Sequence, residues 1–304
     1  MYKIFVPPIK CQGIKTKIVP FILSNITSLK YTRWLEPFMG SGVVGLNALS
    51  KHSVFSDLNP HVISFYLALK QESVTPEIAK IFLEQEGEKL EILGEDYYYQ
   101  IRERFNQTGS PLDFLFLSRA CFNGMIRFNS KGKFNVPFCR KPNRFARPYI
   151  TKIVNQIANF QKAININCWD FHCQDFEKTI EQANATDFIY CDPPYLGRHV
   201  DYFDSWSKED EYRLYTALST TKAKFILSTW HSNQYRANDS IKLLWAKFHI
   251  VTQQHFYHVG AKEQNRVPML EALIMNFSPE RPIKKTYSHQ FSNPTLFPEV
   301  AATL

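Results

Sequence analysis

The sequence predicts a mostly parallel α/β sheet with helices on both faces and a mainly helical insertion in its middle. Three observations point there. Asp187-Phe188-Ile189-Tyr190-Cys191-Asp192-Pro193-Pro194-Tyr195 opens as an apolar run behind one charge and stops at two prolines. A short apolar run without alternation is the pattern of a central strand covered on both faces. Proline brings no donor to a ladder, so the strand ends there and turns outward, leaving an exposed aromatic ring at Tyr195. Second, Arg33 to Gly45 reads as strand, glycine-rich turn and helix start, and Ser53-Val54-Phe55-Ser56-Asp57 follows as a strand closed by an acid. Third, from about Ser73 charges and apolar residues recur at helical spacing, which marks an inserted unit. The expected organisation is a sheet domain over 1–72 and 164–277, an insertion over 73–163, and a loosely ordered polar, Pro-rich tail over 278–304.

Taken in order, Ile18 to Ser28 reads as a helix, then Val43 to Ser50 and His61 to Gln71, with Asn59-Pro60 punctuating the turn before the last. Thr75 to Gln107 is helical with a break near Gly94, and at that period Tyr97-Tyr98-Tyr99 are packing residues. Pro111 to Met125 is a further helix, dense in Phe and Leu. Phe128 to Phe138 reads as a hairpin with its tip at Ser130-Lys131-Gly132-Lys133. Tyr149 to Lys162 returns as a helix, Ile164 to Trp169 is a strand, and Cys173-Gln174-Asp175-Phe176 follows it. Ser207 with Glu209 and Asp210 signals a helix start, and Lys224 to Thr229 is a strand. Trp245 to Val259 and Leu273 to Phe277 read as the last antiparallel strands, with a polar tip at Gly260 to Arg266.

The 304 residues leave room for one large domain or a domain with an insertion. A net charge of +8 points to an anionic partner. Between Phe114 and Trp169 there is no acid, while Arg119, Arg127, Lys131, Lys133, Arg140, Lys141, Arg144 and Arg147 stand among Phe, Tyr, Asn and Pro. A merely solvated face would carry acids as well, so this is the expected nucleic-acid surface. Six cysteines without a C-x-x-C pair read as small reduced core thiols, not as a zinc site, and no metal is expected. No apolar run approaches the length of a membrane span and the first residues open no signal peptide, so a cytoplasmic location is expected.

The chemistry that fits these residues is methylation of an exocyclic amino group. An aromatic amine is a poor nucleophile because its lone pair is delocalised into the ring. The Asp192 carboxylate and the Pro193 carbonyl can each accept one of its N–H groups, holding the nitrogen in line. Tyr195 can stack on the base. Gly40 and Gly42 let a backbone approach a ligand, and Asp57 at its strand end suits ribose hydroxyls.

With these residues in view, the sequence resembles the Dam-type DNA adenine-N6 methyltransferases, the D12 class with the cofactor motif first, recognition in the middle and catalysis late. Phe38-Met39-Gly40-Ser41-Gly42 matches the cofactor loop F-x-G-x-G, and Asp192-Pro193-Pro194-Tyr195 matches the catalytic tetrapeptide in full. Phe122 to Asn129, followed by Gly132 to Phe138, matches a stretch of the recognition region. The resemblance covers roughly residues 7–277. It implies a seven-stranded Rossmann-like sheet, S-adenosyl-L-methionine as cofactor, double-stranded DNA as partner, and a setting beside a cognate restriction endonuclease, with the chain a monomer or weak dimer.

Residue by residue, the resemblance implies a cofactor set of Lys10, Gly13, Lys15, Glu36, Pro37, Phe38, Gly40, Gly42, Asp57, Asn59, Asp175, Phe176 and Asp192. Lys15 would meet the methionine carboxylate, and Asp175 the adenine amino group. Cys11 stands where the family often has an aromatic residue. The implied DNA set is Phe122, Asn123, Met125, Arg127, Asn129, Lys131, Lys133, Asn135, Pro137 and Arg140. Arg127 matches an arginine that reads a guanine edge, while Phe122 and Asn123 match positions that fill the gap left by a flipped base. The Gly197 to Trp206 loop is expected to wall the target-base pocket or touch DNA, and His231 is a pocket residue only. Cytosine-N4 methylation, RNA methylation and a non-catalytic DNA-binding subunit stand as the alternatives.

Overall fold

The computed structural model describes residues 4–11, 13–195, 206–233, 235–256 and 268–279. The expected polar tip at 260–266, the loop from Gly197 to Ser205 and nearly all of the tail lie outside the described residues. In chain order the elements are α1 (Val19–Ser24), β1 (Trp34–Glu36), α2 (Val43–Ala48), β2 (His52–Asp57), α3 (Pro60–Lys70), α4 (Pro76–Leu93), α5 (Glu95–Thr108), α6 (Pro111–Ala120), α7 (Arg147–Ile166) and β3 (Cys168–Cys173). They continue as α8 (Phe176–Glu181), β4 (Phe188–Cys191), α9 (Lys208–Thr220), β5 (Lys224–Ser232), α10 (Asp239–Leu243), β6 (His249–Phe256) and β7 (Pro268–Met275).

The seven strands form one sheet in the order β3-β2-β1-β4-β5-β7-β6. The first five are parallel, whereas β7 runs antiparallel to both β5 and β6. The chain builds outward from β1 through β2 and β3, then returns to lay β4 on the other side of β1, with Leu35 facing Ile189 in register. The β1/β4 seam is therefore the topological switch point, where open α/β sheets form their ligand crevice. Below the seam, Arg33 grips Asp187 with two hydrogen bonds of 3.1 and 2.6 Å and ties the entering ends of both strands together.

Alternation along the strands feeds two apolar layers. Trp34, Phe188 and Tyr190 face one side, with Trp34 stacked 5.2 Å from Phe188. Leu35, Ile189 and Cys191 face the other, against Phe176, Leu214 and Trp245. The first layer continues without a break into α4, α5, α6 and α7, so the insertion shares its core with the sheet. Tyr97 and Tyr98 are buried there, as packing residues should be.

Several boundaries differ from expectation for local reasons. The helix expected to reach Met125 stops at Ala120, because Cys121 is extended and a tight 3-10 turn over Phe122–Gly124 takes Asn123 to φ 54°. Ile164 to Ile166 finish α7 instead of opening β3: Ile164 is buried on the core side of that helix, and the backbone turns extended only at Asn167, just before Cys168 opens the strand. Trp245 is fully buried after α10 and not in a strand, and β7 begins at Pro268. The helix at Val19 ends at Ser24. Of the cysteines, Cys121 and Cys191 are buried thiols, but Cys168 and Cys173 are exposed on the edge strand β3. Among the described residues no His/Cys/Asp/Glu group could hold a metal, and no helix is long and apolar enough to cross a membrane.

Candidate active site

The glycine turn after β1 is built by its neighbours. Met39 donates its backbone N–H to Ser56 O at 2.9 Å, and Gly40 donates to Asp57 Oδ2 at 2.8 Å. Gly40 and Gly42 take positive φ of 47° and 67°, a region in which a side chain is strained. A Cβ added at Gly40 would meet nothing within 4 Å, so this turn leaves open space above β1. Gly45 is demanded by packing instead: a Cβ there would lie 2.3 Å from the Phe55 ring and 2.5 Å from Glu36 Oε2.

Glu36 belongs to the fastening of this turn. Its Oε2 accepts from Trp34 Nε1 at 2.8 Å and from the Gly45 N–H at 2.9 Å, with the residue 2 % exposed. Burial pushes its carboxyl up to about 8. Pro37 is buried beside it. Asp57 ends β2 and accepts from the Asn59 N–H at 2.9 Å as well as from Gly40, while Asn59 caps α3. Burial pushes the Asp57 carboxyl above its usual range. Phe38 stacks on Phe176 at 5.2 Å and meets Trp206 edge-on at 5.6 Å, giving an aromatic wall next to the turn. Trp206 is the last residue of the loop expected to wall the target-base pocket or touch DNA.

Asp175 serves as the N-cap of α8, accepting from the Glu177 N–H at 2.9 Å, and pairs with Arg213 at 3.1 Å. Arg213 also holds Glu177 and lies 4.9 Å over the Phe176 ring.

Across the seam, Asp192 leaves the end of β4. Lys15 Nζ stands 2.8 Å from Asp192 Oδ1 and 4.8 Å over the centre of the Tyr195 ring. Lys15 is only 6 % exposed. Burial raises the Asp192 carboxyl above its usual range, while Lys15 and the Tyr195 hydroxyl pull it back. Pro193 is buried and Pro194 half-buried. Tyr195 is 8 % exposed, which corrects the expected exposed ring: it packs with Trp230 and Met269, and its hydroxyl donates to Glu271 Oε2 at 3.0 Å. Glu271 on β7 is fully buried and went unnoticed in the sequence. The available signal was a lone acid inside the apolar run Met269 to Met275.

The N-terminal segment splits between two places. Gly13 takes φ 80° ahead of Lys15, whose Nζ donates to the Gly13 carbonyl at 3.4 Å. Lys10 instead leans on the recognition turn, where a Cβ at Gly124 would meet its side chain at 2.6 Å. Burial, together with Arg144 and Arg119, lowers the Lys10 ammonium. Lys10 is therefore a neighbour of the insertion and Lys15 a neighbour of Asp192.

On the insertion, residues 133–138 alternate. Phe134, Val136 and Phe138 are buried, while Lys133 and Pro137 are exposed and Asn135 is half-buried. Asn106 of α5 clamps the buried side, accepting from Phe134 N–H at 2.7 Å and donating to Phe134 O at 3.2 Å. Arg127 reaches the outward side and donates to Asn135 Oδ1 at 2.9 Å. Phe122 is 48 % exposed, Asn123 is exposed, and Met125 is half-buried. Lys131 and Arg140 are exposed. Asn129 is occupied in shaping the tip, accepting from the N–H groups of Lys131 and Lys133 at 2.9 and 3.0 Å. The expected hairpin exists as two isolated bridges, Phe128 to Phe134 and Cys121 to Phe138, and not as a continuous ladder. His231, on β5, bonds Ser232 at 2.9 Å.

The family profile described as D12 class N6 adenine-specific DNA methyltransferase matches residues 12–259. The chain is 30 % identical to the Type II methyltransferase M.MjaIII of Methanocaldococcus jannaschii over 89 % of its own length and 99 % of that protein. It is 29 % identical to the Type II methyltransferase M.FokI of Planomicrobium okeanokoites, again over 89 % of this chain but only 43 % of that protein. Against the DNA adenine methylase of Haemophilus influenzae the identity is 34 % over 53 % of this chain and 54 % of that one. The match spans the glycine turn, the insertion and the seam end of β4 alike, and the chain belongs to the D12 class of N6 adenine-specific DNA methyltransferases.

Proposed function

We propose that the chain methylates N6 of an adenine swung out of double-stranded DNA, with S-adenosyl-L-methionine as donor and Asp192 as the group that holds the amine. The observation that carries this reading is the placement of Asp192, Lys15 and Tyr195 across the β1/β4 seam from an open glycine turn. The open space at Gly40, the acid Asp57 beside it and the Phe38–Phe176 wall fit a nucleoside-bearing donor. When bound, such a donor supplies an electrophilic methyl group.

The rest is work for this chain's own residues. Asp192 and the Pro193 carbonyl accept the two amino hydrogens, which orients the lone pair and localises it on nitrogen. Lys15 opposes the rise that burial imposes on the Asp192 carboxyl and so favours its ionised form. The two prolines fix φ, so the acceptors are preorganised. Extruding the base costs a few kcal/mol, offset by contacts to the opened duplex, to which Phe122, Asn123 and Met125 contribute. Arg127 reads a base edge with Asn135 fixing its guanidinium, while Lys131, Lys133 and Arg140 meet phosphates. Residues 73–163 act as the recognition unit. We read the chain as a cytoplasmic monomer or weak dimer. The naming of two relatives as Type II methyltransferases supports a setting beside a cognate restriction endonuclease.

The test is methyl transfer from labelled S-adenosyl-L-methionine to unmethylated genomic DNA, with nucleoside analysis and sequencing of modified positions. N6-methyladenine in one short context is the expected result. N4-methylcytosine, or transfer to RNA alone, overturns the substrate assignment.

A further inference from the structure

Glu271 is the one charged residue in the β7 run Met269 to Met275, and it is fully buried. It faces Trp230 of β5 and Gln253 of β6 in register. The β5/β7 ladder shifts register between Trp230 and Ser232, at the level of this acid. Bulges of this kind re-aim side chains next to active sites. A carboxylate is held in so apolar a place only with a partner. Its partner here is the Tyr195 hydroxyl at 3.0 Å, the end of the tetrapeptide that begins with Asp192.

A phenol has one hydrogen to give. Tyr195 gives it to Glu271, yet the same hydroxyl also bears on Asp192. The two carboxylates therefore compete for one O–H. We propose that Glu271 is a positioning residue: by taking the Tyr195 hydrogen, it leaves the Asp192 carboxylate to accept the substrate amine. Lys15, 2.8 Å from Asp192 and 4.8 Å over the Tyr195 ring, is the counter-charge on the other side. Among the described residues, other titratable groups bearing on Asp192 are Glu36 on β1 and Tyr190 and Cys191 on β4. The proposal rests on the assignment of Asp192 as the amine holder.

Three variants test it, with donor affinity measured separately. In Glu271→Leu the phenol turns to Asp192, and kcat falls on the order of 100-fold with little change in donor affinity, the size expected of a misplaced acceptor. In Glu271→Gln the amide oxygen still accepts the O–H, so kcat stays within about tenfold of wild type. Loss of the charge also moves the acid limb of kcat/KM to lower pH, because Glu271 raises the Asp192 carboxyl. Adding Tyr195→Phe to Glu271→Leu removes the diverted hydroxyl, so the double variant is at least as active as Glu271→Leu alone. A Glu271→Leu enzyme with wild-type kcat and only a lower Tm overturns the proposal, as does a double variant whose losses multiply. If Glu271→Leu does not fold, an unmoved acid limb in Glu271→Gln decides against it. Full activity in Asp192→Ala sinks the underlying assignment instead, which keeps the two failures apart.

Discussion

The ammonium of Lys15, which lies ahead of α1, stands 2.8 Å from the carboxylate of Asp192 at the end of β4, and both are largely shielded from water. The pair joins the first part of the chain to the site after the fourth strand. Burial raises the Asp192 carboxyl above its ordinary value of 3.8, and Lys15 is the largest influence opposing that rise. An acid with a raised value is ionised, and able to accept N–H groups, only above that value. Activity is therefore lost as pH falls through it. Removing Lys15 as Lys15→Met lets the carboxyl rise further, so the acid limb of kcat/KM moves to higher pH and activity at neutral pH drops. A limb that stays in place in this variant contradicts the assigned role.

Glu36 gives a stability prediction of definite sign. Its carboxyl rises from 4.5 in the open chain to about 8 in the folded protein, chiefly through burial. Between these values the folded state keeps a proton that the unfolded state has released, so stability falls as pH rises across the window. Glu36→Gln keeps an oxygen for Trp34 and Gly45 but carries no charge to bury. Its denaturation midpoint should change little between pH 5 and pH 8, whereas the wild type should lose stability of order a few kcal/mol. Parallel curves for the two proteins refute this.

Two glycines flanking the start of α2, Gly40 and Gly45, separate binding from folding. Gly45→Ala forces a methyl into the Phe55 ring and Glu36, an overpacking that costs about 1–3 kcal/mol and lowers Tm. Gly40→Ala adds its methyl to open space at a positive φ. It should cost about 1 kcal/mol of stability while lowering donor affinity well beyond that effect. Calorimetric titration with S-adenosyl-L-methionine beside thermal melts distinguishes them. Donor affinity lost in Gly45→Ala but not in Gly40→Ala reverses the assignment.

Where sequence sufficed and where it failed follows from the range of the interactions. The strand, glycine turn, helix and second strand were legible because each signal lies within a few residues, and the proline stop after Cys191 is just as local. Tyr195 was misjudged because what buries it, Trp230, Met269 and Glu271, comes from strands that follow it in the chain. Glu271 was missed for the same reason, its partner being 76 residues away. The local job of Asn129 was not legible either: its side-chain oxygen shapes the tip by accepting from the Lys131 and Lys133 N–H groups, a self-bonding that Asn residues often adopt in turns. Ile164-Asn165-Ile166 alternates as a strand does, yet it is the last turn of α7, where Ile164 faces the core and Ile166 faces solvent.

The recognition surface offers the last prediction. Phe134, Val136 and Phe138 face inward, so Lys133, Asn135 and Pro137 share the outward side with Arg127. Arg127 and Lys133 should then fail in different ways. Arg127→Ala removes a base-edge contact, costs about 1–3 kcal/mol on the cognate site and relaxes discrimination at one position. Lys133→Ala removes a phosphate contact, weakens cognate and random DNA alike, and lowers the salt slope of binding by about 1. Asn135→Ala frees the Arg127 guanidinium and should mimic Arg127→Ala at a smaller cost. Binding titrations at several salt concentrations on matched and singly mismatched duplexes resolve the three. An Arg127→Ala protein that loses affinity equally for every sequence would return this arginine to the phosphate backbone and leave base readout to another residue of the insertion.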